Sequence, residues 1–295
     1  MMKNLLSLLV IGIGLVVPGA ASAQDFFFLQ MSDPQFGMYT ANASFAQETT
    51  NLELGIATAN RLHPAFVVMS GDLVNKPGDK AQIEEYLRIT HKLDLGIPLY
   101  SIAGNHDVGN VPTPVSLAAY RQVFGKDYYS FRNGPMKGIV LNSSIIQHPE
   151  KVMDEEAEQR QWLEEELKRA VAEHVQWIVI FQHIPWFLHN ADEPDQYFNI
   201  PRETRIRYLK ILKDGGVRYN FAGHFHQNSE GKDDAFEMVT TGPIGKPLGD
   251  ATSGIRIVSV SERGLCHRYY GLGNLPNQVD VKAFAVCARN TLEAP

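Results

Sequence analysis

The feature that most constrains the fold is a series of short apolar runs, each of which ends in polar residues. Five such runs occur along the chain: DFFFLQMSD, AFVVMSGD, IPLYSIAGNHD, WIVIFQH and VRYNFAGHFH. Short apolar runs that end at turn residues are typical of buried strands. Segments with helical periodicity separate them, and strands that alternate with helices form parallel sheets. We therefore predict an α/β fold with a largely parallel central sheet.

A helix and a second sheet are also predicted. Residues 154–174 begin with acidic residues and carry basic residues towards their end, as a helix dipole favours. Their apolar side chains share one helical face, namely Leu163, Leu167, Ala170 and Val171. The β-rich stretch 236–270 indicates a second, more antiparallel sheet. A two-sheet β-sandwich flanked by helices (α/β/β/α) accommodates both kinds of sheet.

The first 23 residues have the composition of a secretory signal peptide. Lys3 gives a basic start, residues 5–17 are apolar, and Ala21-Ser22-Ala23 has the small-x-small pattern of a cleavage site. A transmembrane anchor is the alternative, but the apolar stretch is short for one and runs into Pro18. We expect cleavage after residue 23, a periplasmic or secreted protein with no membrane anchor, and a single domain over residues 24–295.

Charge and cysteine content exclude some functions and leave one question open. The net charge of the whole chain is −6, and no basic run indicates a nucleic-acid-binding patch. Cys266 and Cys287 could form a disulfide in an oxidising compartment, or both could stay unpaired. Their spacing fits no zinc motif, so we assign them no chemistry.

Each of the five predicted strands ends in residues that can bind a metal ion. Such residues collect at the carboxyl ends of strands in open α/β sheets. Any one of these pieces alone is commonly a turn or an exposed strand edge, but five in order are not a coincidence. The set has nitrogen and oxygen donors and no thiolate, which suits Mn, Fe, Zn or a similar ion. Its members are Asp33, Gln35, Asp72, Asn105, His183, His224 and His226.

The ordered set resembles the motifs of the calcineurin-like metallophosphoesterases, which are D-x-H, G-D-x-x-[DN], G-N-H-[DE], an isolated H and G-H-x-H. In this chain they read SDPQFG, GDLVN, GNHD, QHIPWF and AGHFHQN, and they span essentially everything after the leader. The residues within these motifs are similar to those of a branch of the family that includes a Ser/Thr phosphoprotein phosphatase. The resemblance implies the metallophosphoesterase fold and a two-metal site. One ion would be held by Asp33, Gln35, Asp72 and His226, and the other by Asp72, Asn105, His183 and His224, with Asp72 bridging the two.

Three further residues take roles from the same resemblance. His106 follows the predicted ligand Asn105, which leaves its imidazole free to protonate a leaving alkoxide as a general acid. Related enzymes orient this histidine with a carboxylate three residues after the bridging aspartate. Asn75 stands there in this chain, and a neutral side chain stabilises an imidazolium less well. Asp107 is predicted to help hold the loop.

Gln35 departs from the family pattern, which has histidine at this position. A glutamine oxygen binds transition metals less strongly than imidazole does, so the first ion should be held more loosely. Its preference should move towards Mn²⁺ or Mg²⁺. The alternative is that Gln35 only hydrogen-bonds a water on the ion. We favour the ligand role, because the spacing from Asp33 matches the family position.

These features predict an exported phosphatase with two divalent ions (Mn, Fe, Zn or Mg). It would hydrolyse phosphate monoesters by attack of a metal-activated hydroxide, with His106 as general acid. The alternatives are a phosphodiesterase acting on nucleotides, lipids or glycerophosphodiesters, and a non-catalytic metal-carrying protein. The substrate is a phosphorylated small molecule or a phosphoprotein. Residues 186–201, which are aromatic and acidic, are either part of the pocket wall or a plain surface insertion.

Overall fold

The structure, a computed structural model, describes residues 25–284, so the predicted leader and Cys287 lie outside it. The strands are β1 (Phe26–Met31), β2 (Val67–Met69), β3 (Leu99–Ser101), β4 (Tyr129–Asn133), β5 (Met136–Val140), β6 (Trp177–Phe181), β7 (Tyr219–Ala222), β8 (Ser229–Asp233), β9 (Phe236–Thr240), β10 (Gly254–Ser261) and β11 (Gly264–Gly271). The helices are α1 (Ala46–Leu62), α2 (Lys80–Thr90), α3 (Asn105–Val108), α4 (Pro114–Phe124), α5 (Ser143–Gln147), α6 (Met153–Ala172), α7 (Arg202–Asp214), a 3₁₀ turn (Leu272–Asn274) and α8 (Val281–Phe284).

The strands form two mixed sheets. The first has the order β11-β10-β1-β2-β3, with β1, β2 and β3 parallel and β10 antiparallel to both of its neighbours. The second has the order β4-β5-β6-β7-β9-β8, with a parallel centre and an antiparallel strand at each edge. The predicted sandwich of two sheets flanked by helices is confirmed.

Two details of the predicted topology are wrong. The five motif-bearing strands do not share one central sheet, since β1, β2 and β3 lie in the first sheet and β6 and β7 in the second. The stretch 236–270 does not form a sheet of its own either. Its strand β9 extends the second sheet, whereas β10 pairs with the free edge of β1, with Phe28 opposite Val258. Residues distant in sequence thus decide which edge each strand joins.

Aromatic side chains hold the two sheets together. Phe28 of β1 stacks on Phe66 at a ring-centroid distance of 4.7 Å. It also meets Phe181 of β6 and Phe221 of β7 edge to face at 5.6 and 5.7 Å. All four rings are fully buried, and tilted or offset pairs of this kind stabilise beyond their buried area. The contact places the carboxyl ends of β1, β6 and β7 next to one another.

Helices cover the outer face of each sheet. Leu52, Ile56 and Ala59 of α1 pack with Leu29 and Met31 of β1, whose side chains alternate between the two faces of the strand. On the second sheet the covering side chains come from α6 and α7, and they are Leu163, Leu167, Ala170, Tyr208, Leu209 and Leu212. Val171, predicted on the same apolar face of α6, is instead 54% exposed.

Two observations bear on the predicted leader and disulfide. Within residues 25–284, no helix has the length and apolar character needed to cross a bilayer. Cys266 is buried in β11. Its proposed partner Cys287 falls outside the described residues, so the disulfide stays a prediction.

Candidate metal centre

The structure brings all seven predicted metal ligands together, and their side chains are buried. Each follows a strand: Asp33 and Gln35 follow β1, Asp72 follows β2, Asn105 begins α3 after β3, His183 follows β6, and His224 and His226 follow β7. The first sheet therefore contributes four of these residues and the second sheet three. The site lies at the edge where the carboxyl ends of both sheets meet.

The carboxylates and histidines form two groups that share one residue. Asp33, Asp72 and His226 form one, and Asp72, His183 and His224 form the other. In each group the atoms that could bind an ion lie within 4.8 Å of one another. Asp72 belongs to both groups, so its two oxygens can serve two neighbouring positions.

Backbone carbonyls set which nitrogen of each histidine carries the proton. A carbonyl oxygen only accepts hydrogen bonds, so the ring nitrogen facing it must be the donor. His183 Nδ1 donates to Ser70 O at 2.7 Å, and His226 Nδ1 donates to Lys246 O at 2.6 Å. His224 Nε2 donates to Tyr197 O at 3.1 Å. Each ring is left with its other nitrogen for an ion, which is how metal-binding histidines are usually held.

Several acceptor atoms converge where a cation would balance them. His183 Nε2 lies 3.2 Å from Asp72 Oδ2 and 3.1 Å from Asn105 Oδ1. His226 Nε2 lies 3.4 Å from Asp33 Oδ1. Gln35 Nε2 donates to Asn75 Oδ1, but Gln35 Oε1 is buried and has no hydrogen-bond partner among residues 25–284. A buried acceptor without a donor is costly. A divalent ion would bind these oxygen and nitrogen atoms and remove that cost, so the predicted ligands fit divalent ions.

Burial and neighbouring charges shift the pKa values of these groups. Burial opposes a charge on His183, but the Asp72 carboxylate outweighs it and raises the pKa of His183 to about 9. Burial, together with the neighbouring His183, lowers the pKa of His224 to about 4. At Asp33 and Asp72 burial also opposes the charged form, yet the adjacent histidines lower the pKa of both carboxyl groups. Both carboxylates are thus ionised at neutral pH.

The backbone of the site is strained. Five of the seven predicted ligands adopt positive φ angles: Asp33 (50°), Gln35 (39°), Asp72 (49°), His224 (68°) and His226 (56°). Residues other than glycine adopt this conformation rarely and at a cost, and such residues cluster at functional sites. Strain at five neighbouring ligands indicates that the loops are shaped for the site.

Two glycines allow the loops to approach closely. A Cβ at Gly104 would lie 2.2 Å from the backbone nitrogen and Oδ1 of Asp72. A Cβ at Gly223 would lie 1.8 Å from Ser32 Oγ and 2.6 Å from Asp33 Oδ2. Neither position has room for a side chain, so these motif glycines are required by packing at the metal centre.

His106 lies beside the shared carboxylate, and its backbone N–H donates to Asp72 Oδ1 at 2.8 Å. Its Nδ1 donates to the backbone carbonyl of Asn75 at 2.8 Å. The Asn75 side chain does not orient this ring, contrary to what the family pattern suggests. It contacts Gln35 Nε2 and Asn42 Oδ1 instead. Any residue at position 75 could supply the carbonyl that holds His106.

Asp107 makes its side-chain hydrogen bonds to backbone groups of two loops of the site. Its Oδ1 accepts hydrogen bonds from the backbone N–H groups of Leu73 and Val74, and its Oδ2 accepts one from Gly104. Burial and the nearby Asp72 raise its pKa well above the usual range. Asp107 therefore joins the loop after β2 to the loop after β3. Its role is to hold these two loops in position.

One residue of the site was not singled out from the sequence. Besides accepting a hydrogen bond from His224 at its carbonyl, Tyr197 packs its ring at a tilt against the His224 ring, at a centroid distance of 4.9 Å. Its hydroxyl accepts a hydrogen bond from Asn105 Nδ2 at 3.3 Å. Tyr197 therefore lies against two predicted ligands, within the segment that the sequence offers as a candidate pocket wall. The aromatic residues after His183 were the only sequence signal.

Comparisons with known proteins agree with this geometry. The sequence model of the calcineurin-like phosphoesterase family matches residues 28–228. The bovine (Bos taurus) protein named serine/threonine-protein phosphatase CPPED1 is 37% identical over 265 residues, which cover 85% of each chain.

Solved structures share the fold at lower identity. A dimetal phosphatase from Danio rerio superposes with a TM-score of 0.58 and 15% identity, covering 83% of this chain and 99% of its own. GAP50, described as an anchor in the inner membrane complex of Plasmodium, reaches a TM-score of 0.65 at 12% identity and covers 92% of this chain and 95% of its own. These two likenesses show the fold alone. From the family match and the bovine relative, the chain belongs to the calcineurin-like phosphoesterase family and is a phosphoric ester hydrolase.

Proposed function

We propose that this protein is an exported phosphatase that hydrolyses phosphate monoesters at a centre of two divalent ions, with His106 as general acid. The observation that carries the proposal is the pair of buried ligand groups that share Asp72. A carboxylate has two oxygens and a negative charge, so it can bind both ions at once. Export is supported by the sequence of residues 1–23, and the intact mass of the exported protein tests it.

Each ion would have its own ligands besides Asp72. Asp33, Gln35 and His226 would hold one, and Asn105, His183 and His224 would hold the other. When bound, two such ions (Mn, Fe, Zn or Mg) would neutralise charge on the phosphoryl oxygens and activate the attacking water. The chain contributes ionised carboxylates, histidines held by carbonyls, and a buried setting in which charges interact strongly.

His106 would donate a proton to the leaving group. Because Nδ1 donates to the Asn75 carbonyl, Nε2 is the nitrogen that can give a proton to the departing oxygen. The backbone N–H of the same residue holds Asp72 Oδ1, so the acid keeps a constant position relative to the metal centre. Asp107 supports both loops through backbone hydrogen bonds. The chain thus places a proton donor beside the bridging carboxylate.

Hydrolysis of matched nitrophenyl esters tests the function. The chain from Gln24, loaded with Mn²⁺, should hydrolyse 4-nitrophenyl phosphate with a kcat/KM at least about tenfold above that for bis(4-nitrophenyl) phosphate. That ratio corresponds to about 1.4 kcal/mol of transition-state free energy. A dianionic monoester gains more than a monoanionic diester from two adjacent cations. A preference for the diester would make the protein a phosphodiesterase, and metal binding without turnover of either ester would make it a metal-carrying protein.

Replacing Gln35 with histidine tests its role as a ligand. We expect Gln35→His to tighten the more weakly held ion and to move its preference from Mn²⁺ towards Zn²⁺ or iron, because imidazole is the stronger donor for these ions. Titration calorimetry with Mn²⁺ and Zn²⁺ measures the change. Gln161→His on the exposed face of α6 is the control for adventitious binding by an added histidine.

Metal affinity alone cannot show whether Gln35 binds the ion directly. Residues that only hydrogen-bond the metal ligands also alter metal affinity, commonly by about 10- to 100-fold. In a crystal of the metal-loaded protein, Gln35 Oε1 should lie about 2.0–2.6 Å from an ion, the range of oxygen donors for Mg²⁺ through Ca²⁺. A longer separation with a water in between would contradict the ligand role.

A further inference from the structure

A cleft of about 370 Å³ opens beside the metal centre, and the mechanism above does not use it. Asn105 and His224 line its inner end, and residues 195–201 form much of its wall. The volume lies within the usual range for small-molecule sites, and a phosphoryl group alone does not need so much space. The cleft can therefore hold the part of the substrate that leaves as an alcohol.

Apart from the proposed ion at its inner end, the cleft has no cationic group among its described lining residues. Its described lining residues are five amides, two histidines, a tyrosine, a proline and Asp195, and none of them is lysine or arginine. Most of the exposed lining is carbon. His148 Nδ1 lies 3.2 Å from a Glu150 carboxylate oxygen, so a proton on that ring would already be balanced. Arg205 is fully buried behind Asp195, with its Nη2 3.3 Å from Asp195 Oδ1.

An anionic leaving group would be poorly accommodated in this cleft. A charge taken out of water without a partner costs free energy, and such unpaired charges are a common means of rejecting the wrong ligand. Away from the two proposed ions, a second phosphate or a carboxylate on the leaving group would meet Asp195, and no lysine or arginine is among the lining residues to balance it. An uncharged leaving group meets no such penalty.

Tyr197 gives the cleft its flat apolar surface. One part of the residue is fixed, because its ring packs on His224, its carbonyl accepts from His224 Nε2 and its hydroxyl accepts from Asn105 Nδ2. Yet the residue is 56% exposed, so much of the ring is available to a ligand in the cleft. An aromatic side chain held on one side and open on the other is suited to stacking against a flat group.

We propose that this cleft is the leaving-group subsite and that it takes an uncharged leaving group with a flat apolar face, such as a phenol or a ring-bearing alcohol. Tyr197 is the residue that determines this specificity. The inference rests on the proposed phosphatase function and deepens it by naming the class of substrate. It applies to small phosphorylated molecules, and it disfavours nucleotides that carry more than one phosphate.

Binding of three phosphonates to the Mn²⁺-loaded protein tests the subsite without turnover. Phenylphosphonate should bind about tenfold more tightly than methylphosphonate, and 3-carboxyphenylphosphonate should bind about 10- to 100-fold more weakly than phenylphosphonate, the range expected for an unpaired charge. Titration calorimetry measures all three dissociation constants. In Tyr197→Leu the ratio of the phenylphosphonate and methylphosphonate affinities should fall to about one, whatever happens to the methylphosphonate affinity itself. Tyr197→Phe, which removes only the hydroxyl that accepts from Asn105 Nδ2, should keep the wild-type ratio. Tyr128→Leu, which removes a tyrosine packed on Trp162 in a different cleft, should change none of these.

Failure of the subsite and failure of the phosphatase function have different signatures. Equal affinity for the three phosphonates, together with turnover of phenyl phosphate, would overturn the subsite alone. Equal weakening of all three in Tyr197→Leu would show that Tyr197 only supports His224 and Asn105, and would overturn its role in specificity. Binding of methylphosphonate without turnover of phenyl phosphate or 4-nitrophenyl phosphate would instead contradict the proposed function.

Discussion

Removal of divalent ions should reduce turnover by about 10³-fold or more, because the charge of the transferring phosphoryl group would lose the cations that stabilise it. Treatment with a chelator, followed by gel filtration and assay with 4-nitrophenyl phosphate, measures the loss. Adding back Mn²⁺ should restore activity and bring the metal content to about two ions per chain. Full activity in metal-free protein would contradict the mechanism.

Asp72→Asn should reproduce this loss in the presence of excess metal. Asp72 belongs to both ligand groups, so removing its charge should weaken both ions. The asparagine retains an acceptor for the His106 backbone N–H, which protects the local fold. Asp79→Asn, at the N-cap of α2, is the matched control and should retain both ions. An Asp72→Asn protein that still binds two ions tightly would show that the carboxylate does not bridge them.

Replacement of His106, the proposed general acid, should have the next largest effect. We expect His106→Asn to lower kcat by roughly 10²–10⁴-fold on alkyl phosphates, which is the usual contribution of a positioned acid. Metal content should stay near the wild-type value, because His106 contacts Asp72 only through its backbone N–H. The loss should be smaller on 4-nitrophenyl phosphate, since nitrophenolate leaves without a proton.

The comparison of leaving groups makes the test of His106 specific. His91→Asn changes an exposed histidine at the end of α2 and should leave the kinetics unchanged. A His106→Asn protein that is depleted of metal, or that is equally slow on every leaving group, would rule out the role of general acid and point to a structural one.

The residues of the site could be predicted from the sequence because their signals are local. Asp33, Asp72 and His183 each follow a short apolar run, and such a run marks the end of a buried strand wherever it occurs. The ordered motifs then identified the family, and with it the two sheets. Gln35 stood out for the same reason, since it occupies a position that the motif defines.

The architecture around the motifs depended on contacts that no local pattern encodes. β10 joins β1, and β9 joins the second sheet, because each completes hydrogen bonds and apolar burial offered by strands far away in the chain. Val171 lies on the predicted apolar stripe of α6, yet it is exposed, whereas Leu163, Leu167 and Ala170 of the same stripe are buried.

The sequence by itself determined which side chains are available for metal chemistry, because strand ends, glycines and ligand types are written in short segments. Only the tertiary structure decided how those side chains are held. The carbonyls of Ser70, Asn75, Tyr197 and Lys246 orient the four histidines of the site, and every residue has a backbone carbonyl. Which carbonyls contact the histidines therefore depends on which loops the packed sheets bring together. For the same reason, no sequence motif predicted that Tyr197 lies at the metal centre.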